Sequence, residues 1–269
     1  MMESADTMFV REKTVFAKGH ILTGEMLDLL YRWPRRMMNL YTDDLSDGII
    51  SGMSYEEKEG DIVIGSGILK WKGSIWFLPE PLSIRKIMAE SGLESGKPYR
   101  LQLNEAGASF AGEVCTERLD VLAEKRDSED HCILGEFFFQ GNTMPKLPAN
   151  WEELQKSLSY AAYFDAVEIP FARKGECTFH PLLFKCFAEK LKTKKDRTSL
   201  EDCMLVQILE DGTLSMPLLR LYAGVDESTG RRELLKKLDK KVKESSAKEP
   251  PRSHGRKSDV EDTPPVGML

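Results

Sequence analysis

The chain has 269 residues, 41% hydrophobic and 30% charged, with a formal net charge of −6. That length buries a full core as one large or two ordinary domains, and the acidic balance argues against a general nucleic-acid binder, which needs a basic face. No apolar run comes near the ~20 residues that span a bilayer.

The opening residues, MMESADTMFVREK, lack the charged, apolar and cleavage regions of a signal peptide. Five irregularly spaced cysteines suit a reducing cytosol better than a disulfide framework. Residues 9–17, FVREKTVFA, alternate and read as a strand leading into an amphipathic helix. Thr23 is its N-cap, because its hydroxyl can accept from a free backbone N–H in the first turn. Met26, Leu27, Leu29, Leu30 and Trp33 recur at spacings of three and four, which draws an apolar stripe. Pro34 is expected to end this helix at Trp33, since proline removes a donor and disfavours helix before it. A second helical stretch, 35–41, follows.

Beyond the Asp47-Gly48 turn the apolar period changes from 3.6 to 2. Residues 49–55 read as extended, 56–60 as a charged loop and 61–64 as a β-branched strand. Gly65 and Gly67 suggest a bulge or a close backbone approach. Strands 68–71 and 74–78 flank a Lys72-Gly73 hairpin turn, and Pro79 and Pro81 end the meander. Residues 83–91 form a short helix or an irregular crossing. Strands follow at 99–103, 112–125 and 132–140, with a register break near Glu117-Arg118 and a polar loop at 127–130.

Residues 141–148, GNTMPKLP, read as a linker. Asn150 caps a helix at 151–163, where Glu152 and Glu153 complement the helix dipole. Residues 167–171 are extended. Thr178 caps a helix at 180–192, Ser199 one at 200–209 and Ser215 one at 216–222, with Pro181 and Pro217 in first turns. Residues 231–244 form a basic helix with a stripe of Leu234, Leu235, Leu238 and Val242. From Ser245 the composition is that of a disordered tail. The expected fold class is α+β: a β-rich sandwich or partly open barrel over 1–140, a small helical domain over 150–244, and a disordered tail over 245–269.

Cys177 and His180, with Cys186 and Cys203 downstream, make one short pair where tetrahedral zinc sites use two. Cys186 and Cys203 sit among apolar helix residues and read as core. The four histidines, His20, His131, His180 and His254, are scattered, and no serine, cysteine or aspartate stands in a nucleophile context. Gly65, Gly67 and Gly73 precede strands, whereas a phosphate cradle feeds a helix N-terminus. We therefore expect no catalytic residue, cofactor or metal. Residues 200–222 have the outline of a helix-turn-helix, but the second helix offers only Ser215, Met216 and Arg220 among leucines. The basic helix lacks the aromatic anchors of strong interfacial helices.

The opening helix carries the candidate site. Leu22, Met26, Leu29, Leu30 and Trp33 suffice to bind it to its own sheet. Leu27, Tyr31, Met37, Met38 and Tyr41 add apolar surface at other angles. Methionine adapts its shape and tyrosine keeps a polar tip, which suits contact surfaces. The expected interface is Met26, Leu27, Leu30, Tyr31, Trp33, Met37, Met38 and Tyr41; the alternative is that all of these are core, covered by the loop through Asp47.

Gly19-His20-Ile21-Leu22 before the helix, then Asp47-Gly48-Ile49-Ile50-Ser51-Gly52, Ile62-Val63-Ile64, and Gly67-Ile68-Leu69 with the Lys72-Gly73 turn form a pattern over the first third of the chain. It resembles the shell domain of baseplate proteins from contractile injection machines, namely the type VI secretion baseplate adaptor and phage tail-fibre connectors. The resemblance implies a β-rich shell, oligomerisation that is often trimeric, protein partners and no catalysis. The leading expectation is a cytoplasmic, non-catalytic structural adaptor subunit of a phage-tail-like assembly. The alternatives are a DNA-binding regulator using 200–222, and an enzyme whose residues assemble only in three dimensions.

Overall fold

The computed structural model describes residues 21, 23–111, 114–125, 132–156 and 161–244. The expected strand at 9–17, the loop at 127–130, the tail from Ser245, and Leu22, His20, His131 and His254 lie outside the described residues. The architecture is α+β, with antiparallel sheets that do not close into a barrel.

Helix α1, Gly24–Thr42, starts at Thr23, whose side chain accepts from the Met26 N–H. It runs unbroken through Pro34, against the expectation of a stop at Trp33. Proline's fixed φ fits a helix, but Pro34 takes away the donor for the Leu30 carbonyl and its ring crowds that carbonyl. Pro34 lies on an exposed side of the helix, where water can take up that carbonyl.

Strands β1 (Gly48–Gly52), β4 (Gly67–Trp71) and β5 (Ser74–Leu78) form one three-stranded sheet in the order β1-β4-β5. A second sheet has the order β2-β3-β6, from Tyr55–Lys58, Asp61–Ile64 and Leu82–Ser83. Residues 56–58 are therefore strand rather than loop. The turn is only Glu59-Gly60, at φ 53° and 72°, and Lys72-Gly73 repeats that geometry at 50° and 73°. Positive φ at both central residues gives the twist that an antiparallel hairpin needs. Gly67 faces Gly52 across β1 and β4; a Cβ on Gly67 would lie 2.5 Å from the Ser51 carbonyl oxygen, the close approach that its sequence position suggested.

Ser83 caps α2, Ile84–Glu90. The third sheet has the order β10-β9-β7-β8, from Tyr163–Asp165, Ile133–Phe138, Pro98–Ala111 and Val114–Lys125. β7 is far longer than the expected 99–103. β9 covers it only from Pro98 to Gln102, so its outer part pairs with β8 alone as a projecting two-stranded arm. The irregularity expected at Glu117-Arg118 falls opposite that point: β7 bulges between Glu105 and Gly107, across from Leu119 and Arg118. Beyond 141–148 the chain re-enters this sheet as β10, so Tyr163 is strand and not helix. Helix α3 is Trp151–Lys156, with the Glu153 N–H bonded to the Asn150 side chain.

Around residues 167–171 the chain turns and makes single bridges instead of a strand. Helix α4, Pro181–Thr193, is capped by His180, not Thr178, whose hydroxyl donates to the Leu214 carbonyl at 2.6 Å. Helix α5, Ser199–Asp211, is capped by Thr198 in a reciprocal box with Glu201, one residue before the expected Ser199. Ser215 caps α6, Met216–Ala223, and α7 is Arg231–Glu244.

The buried apolar residues form one continuous cluster reaching from Ile49, Ile62 and Ile64 through Leu101, Leu134, Phe137 and Phe164 to Leu191, Leu219 and Leu234. The α7 stripe, Leu234, Leu235, Leu238 and Val242, is buried in it, which takes that stripe out of consideration as a docking face. Arg232 on α7 donates to Asp165 at 2.6 Å and Glu136 at 2.5 Å, while Arg100 holds the other Glu136 oxygen at 2.7 Å. Arg231 beside it reaches the carbonyls of Val167, Ile169, Cys177 and Thr178. These two arginines lace α7 to the turn at 167–169.

Candidate interaction surface

Helix α1 has 19 residues, about 28 Å at 1.5 Å rise per residue. Taken at about 100° per residue, Gly24 and the polar residues Glu25, Asp28, Arg32, Arg35, Arg36, Asn39 and Thr42 occupy one continuous arc. Every other position is apolar. Thr42 is the helix's one buried residue. Met26, Leu29, Trp33 and Met37 are half-buried and lie together at one side of the apolar arc. Leu27, Leu30, Tyr31, Pro34, Met38 and Tyr41 form the remaining strip and are exposed, Tyr31 to 64% and Tyr41 to 74%. Leu40 and Ile21, which sequence reasoning left out of the site, are exposed as well.

The eight expected interface residues thus divide by environment: Met26, Trp33 and Met37 are half-buried, while Leu27, Leu30, Tyr31, Met38 and Tyr41 face outward. The alternative in which the loop through Asp47 covers the whole set does not describe this chain. No periodicity could have drawn that line, since both groups read as one amphipathic helix.

The base of the helix is held firmly. The Lys70 ammonium donates to the carbonyl oxygens of Thr42 at 2.9 Å, Asp43 at 3.2 Å and Leu45 at 2.7 Å. The Thr42 hydroxyl donates back to Met38 at 2.8 Å. A cation on the last carbonyls satisfies acceptors that a helix C-terminus leaves open and opposes the dipole's negative end. On the polar face Asp28 pairs with Arg32 at 2.7 Å, and Arg35 donates to the Tyr31 hydroxyl at 2.8 Å.

A concavity of about 440 Å³ opens between the start of β2 and helices α4 and α5, with Tyr55, His180, Lys185, Lys192, Ile208 and Leu209 among its walls. His180 cannot serve as a base there. Its Nδ1 accepts from the Leu182 N–H at 3.2 Å as the cap of α4, and its buried Nε2 has no hydrogen-bond partner among the described residues. Burial pushes the imidazole down to about 4, against an opposing pull from the Met53 backbone. Burial likewise pushes the Tyr55 hydroxyl up, and that hydroxyl donates to the Leu134 carbonyl at 2.6 Å. Burial pushes the Cys132 thiol up to about 12, with Asp47 adding to the effect. None of these groups is poised to exchange a proton at neutral pH.

The residues weighed as a zinc set are dispersed in role: Cys177 accepts from Arg231, Cys186 is buried in α4, and Cys203 is exposed on α5. In the helix-turn-helix outline, Met216 is buried, Ser215 is spent as a cap, and Arg220 makes a two-pronged pair with Glu176 at 2.6 and 2.7 Å. The one arginine that could read a base edge is engaged within the chain. Among the described residues no helix is long and apolar enough to cross a membrane.

No protein-family model matches the chain, and no curated protein matches it in sequence. Among the solved structures with similar coordinates are the following three chains. "Crystal structure of TssK" is 10% identical at a TM-score of 0.38, over 87% of this chain and 69% of that one. A chain of the type VI secretion system TssK-TssF-TssG baseplate subcomplex is 11% identical at 0.30, over 86% of this chain and 98% of that one. A chain of the baseplate complex from the type VI secretion system is 8% identical at 0.31, over 87% and 100%. At TM-scores below 0.5 these likenesses carry no argument about function.

Proposed function

We propose that this chain is a non-catalytic structural adaptor subunit of a phage-tail-like baseplate assembly in the cytoplasm, and that it binds neighbouring protein subunits through α1. The observation that carries the reading is a helix fixed at its base by Lys70 and apolar along an exposed strip from Leu27 to Tyr41. A free helix of this kind gains stability by covering the strip, and contiguous exposed apolar surface marks an interaction site. The resemblance in the turns and apolar spacing of the first third supplies the kind of assembly. In this reading 1–140 is the shell-like part, 150–244 the helical part, and the chain is a homo-oligomer.

The test is purification of the full chain from native cells with its bound subunits. We expect baseplate-type subunits in fixed stoichiometry, and a Tyr31→Asp/Met38→Asp variant that stays folded but loses them. A folded variant that keeps every partner would remove α1 from the interface. An unfolded or insoluble variant would assign the strip to the chain's own core.

A further inference from the structure

The exposed strip of α1 has a regular order that its composition alone does not convey. Leu27, Tyr31, Pro34, Met38 and Tyr41 follow one another at intervals of four, three, four and three. That is the seam of two packed helices, in which an apolar residue returns every 3.5 positions on average. One flank of the seam carries Asp28 and Arg35, and the other carries Leu30 and Met37.

We infer that the strip is occupied by α1 of a second copy of this chain, packed antiparallel about a two-fold axis. This rests on the reading of α1 as an interface and specifies its partner. The argument is self-complementarity, which a two-fold interface demands of a single patch. In an antiparallel pair Leu27 faces Met38 of the second helix and Tyr31 faces Pro34, and symmetry repeats both contacts. Antiparallel packing sets like flanks side by side. Asp28 then meets Arg35 twice, and Leu30 meets Met37 twice, so both flanks match in the same register. A parallel pair sets the Asp28/Arg35 flank against the Leu30/Met37 flank and places charge on apolar surface.

The partners that Asp28 and Arg35 now hold do not oppose this. Asp28 and Arg32 are 52% and 69% exposed in their pair, and an exposed ion pair contributes little. Arg35 gives up one bond to a tyrosine hydroxyl. The Lys70 anchor fixes the helix end before a partner arrives, so less freedom is lost on pairing.

The experiment uses two full-length charge variants, Asp28→Arg and Arg35→Asp, with molecular mass followed by sedimentation across the soluble concentration range. In the proposed geometry each variant alone sets like charges across the pair twice, which should weaken self-association by about tenfold or more. An equimolar mixture restores opposite charges at both contacts, so a two-chain species should return at wild-type strength. Three results would overturn the inference: a wild-type chain that stays single, variants that pair as well as wild type, or a mixture that fails to restore pairing. Flotation of the wild-type chain with phosphatidylserine vesicles would also overturn it, by making lipid the occupant. The wider reading is judged separately: baseplate-type subunits that purify with the wild-type chain leave the subunit role standing even where self-pairing fails, a wild-type chain that brings none removes that role, and their retention by a folded Tyr31→Asp/Met38→Asp removes only α1 from that contact.

Discussion

The ammonium of Lys70 donates to the main-chain carbonyl of Thr42 at 2.9 Å, tying the penultimate residue of β4 to the last residue of α1. Together with its bonds to Asp43 and Leu45, it makes Lys70 the link through which an outward-facing helix is held to the body.

Replacing it with methionine keeps the aliphatic stem and removes the donors. Lys70→Met should cost about 1.5–3 kcal/mol in denaturant unfolding, the range for bonds that involve a charged group. Hydrogen exchange should quicken at 42–45 while the sheets stay protected. Unchanged exchange at those amides would mean that the helix end is held by something else.

Gly135 is a tight packing constraint in the β10-β9-β7-β8 sheet. Its φ is +147°, and a Cβ there would lie 2.2 Å from Cζ of the fully buried Phe164 ring. Gly135→Ala should destabilise by about 3 kcal/mol or more, combining an unfavourable backbone angle with overpacking. A pairing variant, Gly135→Ala with Phe164→Leu, should recover part of the loss by returning volume. A wild-type melting temperature for Gly135→Ala would contradict the packing of β9 against β10.

The buried His180 predicts a pH dependence of definite sign. Its folded-state value, near 4, lies below the ordinary 6.5, so between these values the unfolded chain binds the extra proton. Its contribution is complete above about pH 6.5, declines as pH falls towards 4, and is lost below, in total about 3 kcal/mol. His180→Asn keeps an acceptor for the Leu182 N–H and does not titrate. Between pH 7 and pH 4 the wild-type chain should lose about 3 kcal/mol more stability than this variant; parallel pH profiles would place His180 in contact with water.

What the sequence by itself determined is local. The caps Thr23, Asn150 and Ser215, the prolines in first turns and the Lys72-Gly73 hairpin were legible because each acts on neighbours within a few residues. Where a local signal had two readers, position slipped: Thr198 took the cap assigned to Ser199, because Glu201 completes its reciprocal box, and Thr178 spent its hydroxyl on Leu214. Pro34 shows the same limit from the other side, since α1 continues through it although the local rule ends a helix there.

Only the tertiary structure decided which apolar stripes are closed. α1 and α7 are both amphipathic in sequence, yet Leu234, Leu235, Leu238 and Val242 are buried while Leu27, Tyr31 and Tyr41 are not. Periodicity reports that a helix has an apolar face, but burial depends on what the rest of the chain brings to it. For α7 that is a set of partners remote in sequence, with Arg232 on Asp165 and Glu136 fixing the approach. For α1 it is Lys70 at one end and an open strip along the length, and that difference in covering is what turns an ordinary amphipathic helix into the candidate site.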